Sequence, residues 1–194
     1  LTSEDIDQLL SDWLCKAVQR IANPNIRNRI FILKGGQNIG KDTWIDSLLF
    51  GAGQFTNAVT VMSHDKDAFL QLSKGLFLKI SEFDKTARTE VSMLKELITI
   101  PYTDLRASYD RDFKRRYSRS SFIAGCNVDD ILRDSTGSTR YIIVEVDSFK
   151  FDYPVRNEVF GLQVLAQAFS LANSGFRCNP ETEKRLEQYL YDKT

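Results

Sequence analysis

Apolar residues recur at helical spacing from the start of the chain: Ile6, Leu9, Leu10, Trp13, Leu14, Val18 and Ile21 fall on one face. Thr2 or Ser3 offers an N-terminal cap, and Asn23-Pro24-Asn25 ends the run. The period then changes. Residues 30–33 are a short continuous apolar run, the pattern of a strand buried on both faces, while Trp44, Ile45, Leu48 and Leu49 return to helical spacing. Gly51-Ala-Gly53 reads as a loop, residues 55–62 follow neither period, and residues 65–72 read as helical. A second buried strand is predicted over 76–80, running straight into Ser81-Glu82-Phe83-Asp84. Val91, Leu94, Leu97 and Ile98 mark a further helix that Pro101 ends. Residues 121–125 form a third strand closing on Asn127, and residues 140–146 a fourth. Two helices follow, over 155–172 and 181–191, the second opened by Asn179-Pro180.

Strands alternating with helices predict an α/β fold with a largely parallel sheet flanked by helices. Ligands of such sheets gather at the carboxyl ends of the strands. The pattern divides the chain into a helical lead-in (1–28), a core (29–150) and a C-terminal helical segment packed on that core (151–194). With 194 residues and 42% hydrophobic content, one domain with a substantial core is expected. The 26 basic and 26 acidic residues cancel, so any nucleic-acid site must be a local patch. The three cysteines, Cys15, Cys126 and Cys178, are odd in number and match no metal spacing, which points to a reduced, cytoplasmic protein. No apolar run approaches a membrane span, so no membrane partner is expected. The start at Leu1, without Met, reads as a fragment of something longer.

The chemistry concentrates after the first strand. Gly35-Gly36-Gln37-Asn38-Ile39-Gly40-Lys41 joins that strand to a helix, and Asp42-Thr43 opens the helix. Such a loop cradles nucleotide phosphates: its amides converge on the anion, the helix dipole adds partial positive charge, and the lysine supplies a full one. Where a hydroxyl residue normally follows the lysine to ligate Mg²⁺, this chain has Asp42, with Thr43 one place later. A phosphate loop also needs an acid that positions Mg²⁺ or polarises the attacking water, supplied from a neighbouring strand end. Glu82 and Asp84 lie there, two apart and so pointing the same way in extended backbone. Without the loop, the pair would read as a polar strand end. Lys79 within that strand is unexpected, because a cation there competes with metal.

Asn127 ends the third strand where a polar side chain can hold the catalytic water near the γ-phosphate, although Asn is also a common turn former. Arg140 opens the next strand and is a candidate finger acting across a subunit boundary; alone it would be a surface arginine. Residues 105–119 carry six basic residues, Arg111, Lys114, Arg115 and Arg116 among them, interleaved with three aromatics. Basic groups neutralise phosphates and aromatics stack on bases, so this segment is the candidate DNA contact. The competing reading is a solvated hairpin in which Asp104, Asp110 and Asp112 offset half of the charge. His64 joins no catalytic constellation, Trp13 and Trp44 lie on apolar helix faces, and Cys126 reads as a small buried residue.

In this order the motifs resemble the virulence-associated E family, P-loop ATPases similar to superfamily-three helicases of phages and mobile elements. The resemblance covers roughly residues 30–146 and extends loosely to Asp12-Trp13-Leu14 and Asn23-Pro24. Its marks are the loop ending at Lys41, the acidic strand end Ser81-Glu82-Phe83-Asp84, and the helix carrying Leu94-Lys95 and Leu97. Further along come Asp104-Leu105-Arg106 with Tyr109 and Arg111, Arg119 with Gly125-Cys126-Asn127, and Leu132-Arg133-Asp134-Ser135-Thr136-Gly137-Ser138-Thr139-Arg140, the most specific match. Three positions depart from the family: Asp42 for the hydroxyl, Lys79 for a first acid, and Thr139 for the first of two arginines.

The resemblance implies a P-loop NTPase (AAA+-like) fold and an ATP- and Mg²⁺-dependent motor domain acting on DNA, single-stranded by expectation, as a homo-oligomeric ring. Lys41 would hold the β- and γ-phosphates, Glu82 the metal or water, Asn127 would sense the γ-phosphate, and Arg140 would come from a neighbour. Asp42, Thr43, Glu82 and Asp84 are the candidate Mg²⁺ ligands. The rival reading, motivated by the three departures, is a nucleotide-binding but non-hydrolysing scaffold or switch. A small-molecule kinase is disfavoured, since the sequence shows no acceptor-binding or lid signature.

Overall fold

The structure is a computed structural model that describes residues 1–49, 56–59, 73, 75–80, 83, 98–106, 112–127, 140–149 and 158–192; the side chains of 56–59, 105 and 158 are not described. The predicted loop at 51–53, the predicted helix over 65–72 and most of the helix over 91–98 lie outside these residues. So do His64, Glu82, Asp84, Arg111 and Thr139.

Helix α1 (Ser3–Ala22) opens with a reciprocal cap in which Thr2 Oγ1 accepts from the Asp5 amide and Asp5 accepts from the Thr2 amide. Strand β1 (Ile30–Lys34) leads into α2 (Lys41–Leu49). The remaining strands are β2 (Thr56–Val59), β3 (Phe77–Ile80), β4 (Tyr102–Leu105), β5 (Lys114–Tyr117), β6 (Ser121–Cys126) and β7 (Tyr141–Glu145). Helices α3 (Glu158–Asn173) and α4 (Pro180–Asp192) close the chain. Among the described residues the main sheet has five parallel strands in the order β2-β3-β6-β1-β7, and β4 and β5 form a separate antiparallel ribbon. The mixed α/β reading, with a mainly parallel sheet flanked by helices, therefore holds.

The strand cores explain that order. Strands β1, β6 and β7 are almost wholly apolar and buried because both of their faces are covered. Among the described residues strand β2 is the sheet's end strand beside β3, and its sequence Thr-Asn-Ala-Val carries too few apolar residues to announce itself. On the α1 side, the Trp13 ring lies 5.5 Å from Phe31 and 5.4 Å from Phe77, and its Nε1 donates to the Arg29 carbonyl at 2.9 Å. One indole thus ties the first helix to β1 and β3, and the lead-in helix belongs to the core rather than standing apart from it.

The C-terminal helices reach the same layer. Asp5, fully buried, accepts from Thr182 Oγ1 at 2.9 Å and from Arg185 Nε at 3.0 Å. The Arg185 guanidinium holds the Asp5 carboxyl well below the usual carboxylate range. Leu186 and Leu190 of α4 are in the core, and Arg29 pairs with Glu183.

Candidate functional site

The path of β1 decides the shape of the loop after it. Gly35 emerges between two strand exits: its amide donates to the Cys126 carbonyl at 3.1 Å, and the Val146 amide donates to Lys34 at 2.7 Å. A Cβ on Gly35 would lie 2.1 Å from the Val146 carbonyl oxygen, so only glycine fits. The chain then turns through two positive φ angles, Asn38 at 62° and Gly40 at 99°. Helix α2 begins at once, with the Trp44 amide donating to the Gly40 carbonyl at 2.9 Å.

Lys41, only 5% exposed, folds back into this loop. Its Nζ donates to the carbonyls of Gly35 at 2.9 Å and Gly36 at 2.6 Å, and to Asn127 Oδ1 at 2.7 Å. Three neutral oxygens satisfy the ammonium's three protons without neutralising its charge. Gly125 in β6 lies beneath it, where an added Cβ would make an ordinary contact, 3.6 Å from Lys41 Cβ. The result is a pocket of about 340 Å³ lined by Gln37, Asn38, Gly40, Lys41, Asp42, Thr43 and Asn127. That volume is within the range of small-ligand sites.

The pocket lies where the sheet's connections diverge. From β1 the chain leaves toward the β2 edge, whereas from the adjacent β6 it leaves toward β7 at the opposite edge. The crevice beyond the carboxyl ends of two such strands is where open α/β sheets bind their ligands. Loop residues 35–43 and Asn127 are brought together there, as their spacing predicts.

The sequence matches the virulence-associated protein E-like domain over residues 2–193. The chain belongs to that family. No curated protein matches the sequence. Among solved structures, this virulence-associated E-like domain is similar to the apo C-terminal region of NrS-1. One such structure superposes with a TM-score of 0.57 at 16% identity, covering 96% of this chain and 47% of that one. Another gives 0.54 at 16% identity, covering 90% and 42%. The likeness is one of fold, and the chain spans less than half the length of these relatives.

Two of the family departures meet in this virulence-associated E-like domain. Lys79 Nζ, from β3, lies 2.9 Å from Asp42 Oδ1 and 2.8 Å from Asp46 Oδ1, both on α2. Burial depresses the Lys79 pKa, but the hydrogen bonds it donates to Asp46 and Asp42 outweigh that and the ammonium ends above its ordinary value. Sequence reasoning saw Lys79 as a competitor of metal but missed its partners. The signal was available, since Asp42 and Asp46 are four apart and share a helix face.

The other candidates are placed as follows. Tyr141, next after Arg140, pairs with Ile30, so Arg140 stands beside the amino end of β1. Five residues of strand, about 17 Å, separate it from the loop of its own chain. On the ribbon, Arg115 donates twice to Asp104, at 3.0 Å each, and its guanidinium lies 4.0 Å from the centre of the Tyr102 ring. That pairing lowers the Asp104 pKa and raises that of Arg115. By register, Tyr102, Asp104, Arg115 and Tyr117 share one face of the ribbon, whereas Lys114 and Arg116 share the other. Residues 102–105 and 114–117 thus form an antiparallel pair in which Lys114, Arg115, Arg116 and Tyr117 are exposed.

The ribbon is anchored at its base. The Ser118 amide donates to the Pro101 carbonyl at 2.9 Å, and Arg20, 2% exposed, donates to the carbonyls of Ile26 at 2.8 Å and Ser118 at 3.1 Å. Burial pulls the Arg20 pKa down to about 10. Arg119 donates to the Ile21 carbonyl, so the end of α1 and the start of β6 are joined twice. Among the described residues no helix is long and apolar enough to cross a membrane, and no group of three or more His, Cys, Asp or Glu is arranged to hold a metal ion.

Proposed function

We propose that this virulence-associated E-like domain binds ATP in the pocket after β1 and couples its hydrolysis to work on DNA, as one unit of a homo-oligomeric ring. The observation that carries the reading is Lys41, a buried lysine whose ammonium, among the described residues, donates to three neutral oxygens at the mouth of a glycine-bearing loop. A triphosphate offers that ammonium full negative charges in place of carbonyl dipoles, and charge-assisted bonds are roughly twice as strong. The loop amides and the amino end of α2 add to the attraction. Asn127 Oδ1, no longer held by Lys41, would orient a water at the γ-phosphate.

Mg²⁺ would neutralise phosphate charge and polarise the transferred phosphoryl group. The donor set fits, because Asp42 and Thr43 supply oxygen ligands in the pocket wall and Mg²⁺ takes oxygen. The other two candidates, Glu82 and Asp84, lie outside the described residues. The strand order supports a P-loop assignment, with β6 interposed between the loop-bearing β1 and the strand that leads to Glu82.

The test is ATP binding and turnover with Mg²⁺, with and without single-stranded DNA, for wild type and Lys41→Ala. DNA-stimulated turnover that Lys41→Ala abolishes supports the motor. The second reading, a non-hydrolysing switch, is favoured by one observation: Asp42 is engaged by Lys79. Tight ATP binding without phosphate release, under every metal and DNA condition and in an oligomeric sample, would select it.

A further inference from the structure

Asp42 serves two neighbourhoods. It is one of the residues lining the pocket, beside Lys41 and Thr43, and its Oδ1 accepts from Lys79. The two partners of that ion pair differ in exposure, the Asp42 side chain at 73% and Lys79 at 16%. A pair with so exposed a member is weak, so Asp42 can leave it at little cost. A largely buried ammonium stripped of every carboxylate is a different matter, and removing its last partner would be strongly unfavourable. Asp46 prevents that outcome. It lies 2.8 Å from Lys79, one helical turn beyond Asp42, and does not line the pocket.

We infer that Asp42 is a shared ligand, held by Lys79 in the nucleotide-free chain and handed to the divalent cation that accompanies a bound nucleoside triphosphate, while Asp46 retains Lys79. The inference rests on the ATP-binding reading above. Lys79 is then a positioning residue that competes for Asp42, and two of the three family departures form one device. An acid has moved onto the helix, and a lysine governs its availability.

The handover makes a prediction of sign. On charge alone, removing a cation near an anionic ligand weakens binding. Under the handover, Lys79→Met frees Asp42 and tightens it, by about fivefold for an exposed ion pair. Asp46→Asn leaves Asp42 as Lys79's last carboxylate and weakens metal-dependent binding by about tenfold. The double variant should match Lys79→Met, because Asp46 then has no lysine to hold.

The experiment is a calorimetric titration of the chain with ATP in Mg²⁺ and in EDTA, for wild type, Lys79→Met, Asp46→Asn and the double variant, with thermal unfolding as the folding control. Tighter binding by Lys79→Met and weaker binding by Asp46→Asn, both confined to Mg²⁺, is the result expected. Weaker or unchanged Mg·ATP binding by Lys79→Met overturns the handover. Equal wild-type affinity in Mg²⁺ and EDTA also overturns it while leaving the phosphate pocket intact. No ATP binding in either condition removes the pocket and the handover together. Should Lys79→Met fail to fold, Asp46→Asn decides alone, and an effect that persists in EDTA counts against the inference.

Discussion

At Gly35 a methyl group would stand 2.1 Å from a backbone oxygen that is itself fixed at the end of β7. Gly35→Ala should therefore destabilise by about 1–3 kcal/mol, the usual range for forcing atoms into a packed site. Thermal unfolding would read that as a fall of a few degrees. Gly36, whose added Cβ would touch only the flexible Ile39 side chain at 3.5 Å, should tolerate the same change far better. Asp5 gives a second prediction, with its sign set by linkage. Its folded pKa is depressed, chiefly by Arg185, so its contribution is fully present above the unfolded value of about 3.9 and is lost as pH falls through the folded one. Asp5→Asn should lower the melting temperature at neutral pH, and its deficit against wild type should shrink only below about pH 4. A deficit that vanished near pH 6 would contradict the Asp5–Arg185 account.

At the scale of elements, the ribbon β4–β5 carries a prediction about DNA. Its two faces are chemically different: Tyr102, Tyr117 and Arg115 offer stacking surface on one, and Lys114 and Arg116 point from the other. If single-stranded DNA lies across this ribbon, the Lys114→Ala/Arg116→Ala pair should flatten the salt dependence of binding, each lost phosphate contact reducing the slope by about one. Tyr102→Ala/Tyr117→Ala should weaken binding with the slope unchanged, by about 1–3 kcal/mol per stacked base. Unaltered affinity and salt slope in both variants would remove the ribbon from the interface. The ribbon also shows why some elements were legible in sequence and others were not. Strands β1, β3 and β6 are buried on both faces, so their apolar runs stand out, and α1 and α4 have one apolar face each. Strand β5, Lys-Arg-Arg-Tyr, is exposed along its length, and β2 is a four-residue edge; neither has a hydrophobic period to read. At the site, the loop and Asn127 were readable because chain order and strand ends place them. For the Lys79–Asp42 contact the four-residue spacing of Asp42 and Asp46 marked a shared helix face, but the partner of that face depends on how α2 meets β3.

For the whole molecule, the sheet sets distances that no local motif reveals. The glycine-bearing loop is at the carboxyl end of β1 and Arg140 is beside its amino end, so about 17 Å of strand separates them within one chain. If Arg140 acts on ATP it does so on a neighbour's. Mixing Arg140→Ala subunits with Lys41→Ala subunits should then partly restore turnover, because some interfaces would pair an intact loop with an intact arginine. No restoration at any mixing ratio would argue for a site complete within one subunit. The same architecture binds the ends of the chain together, since α1, α3 and α4 share a layer in which Cys15 Sγ donates to the Ala168 carbonyl and Trp13 bridges two strands. Trp13→Ala should cost about 3–5 kcal/mol, read from urea unfolding, because it empties the joint between α1 and the sheet.

Trp44 has a consequence of another kind. The chain holds two tryptophans, and Trp44 is half-buried on the first turn of α2, its amide bonded to Gly40 and its ring 6.1 Å from Phe149. Its indole rides on the same helical turn as Lys41 and Asp42, whereas Trp13 is sealed in the core. The protein therefore has a built-in fluorophore beside its glycine-bearing loop. In a Trp13→Phe background, emission would come from that turn alone, and nucleotide arrival could be timed by stopped flow without attaching a dye.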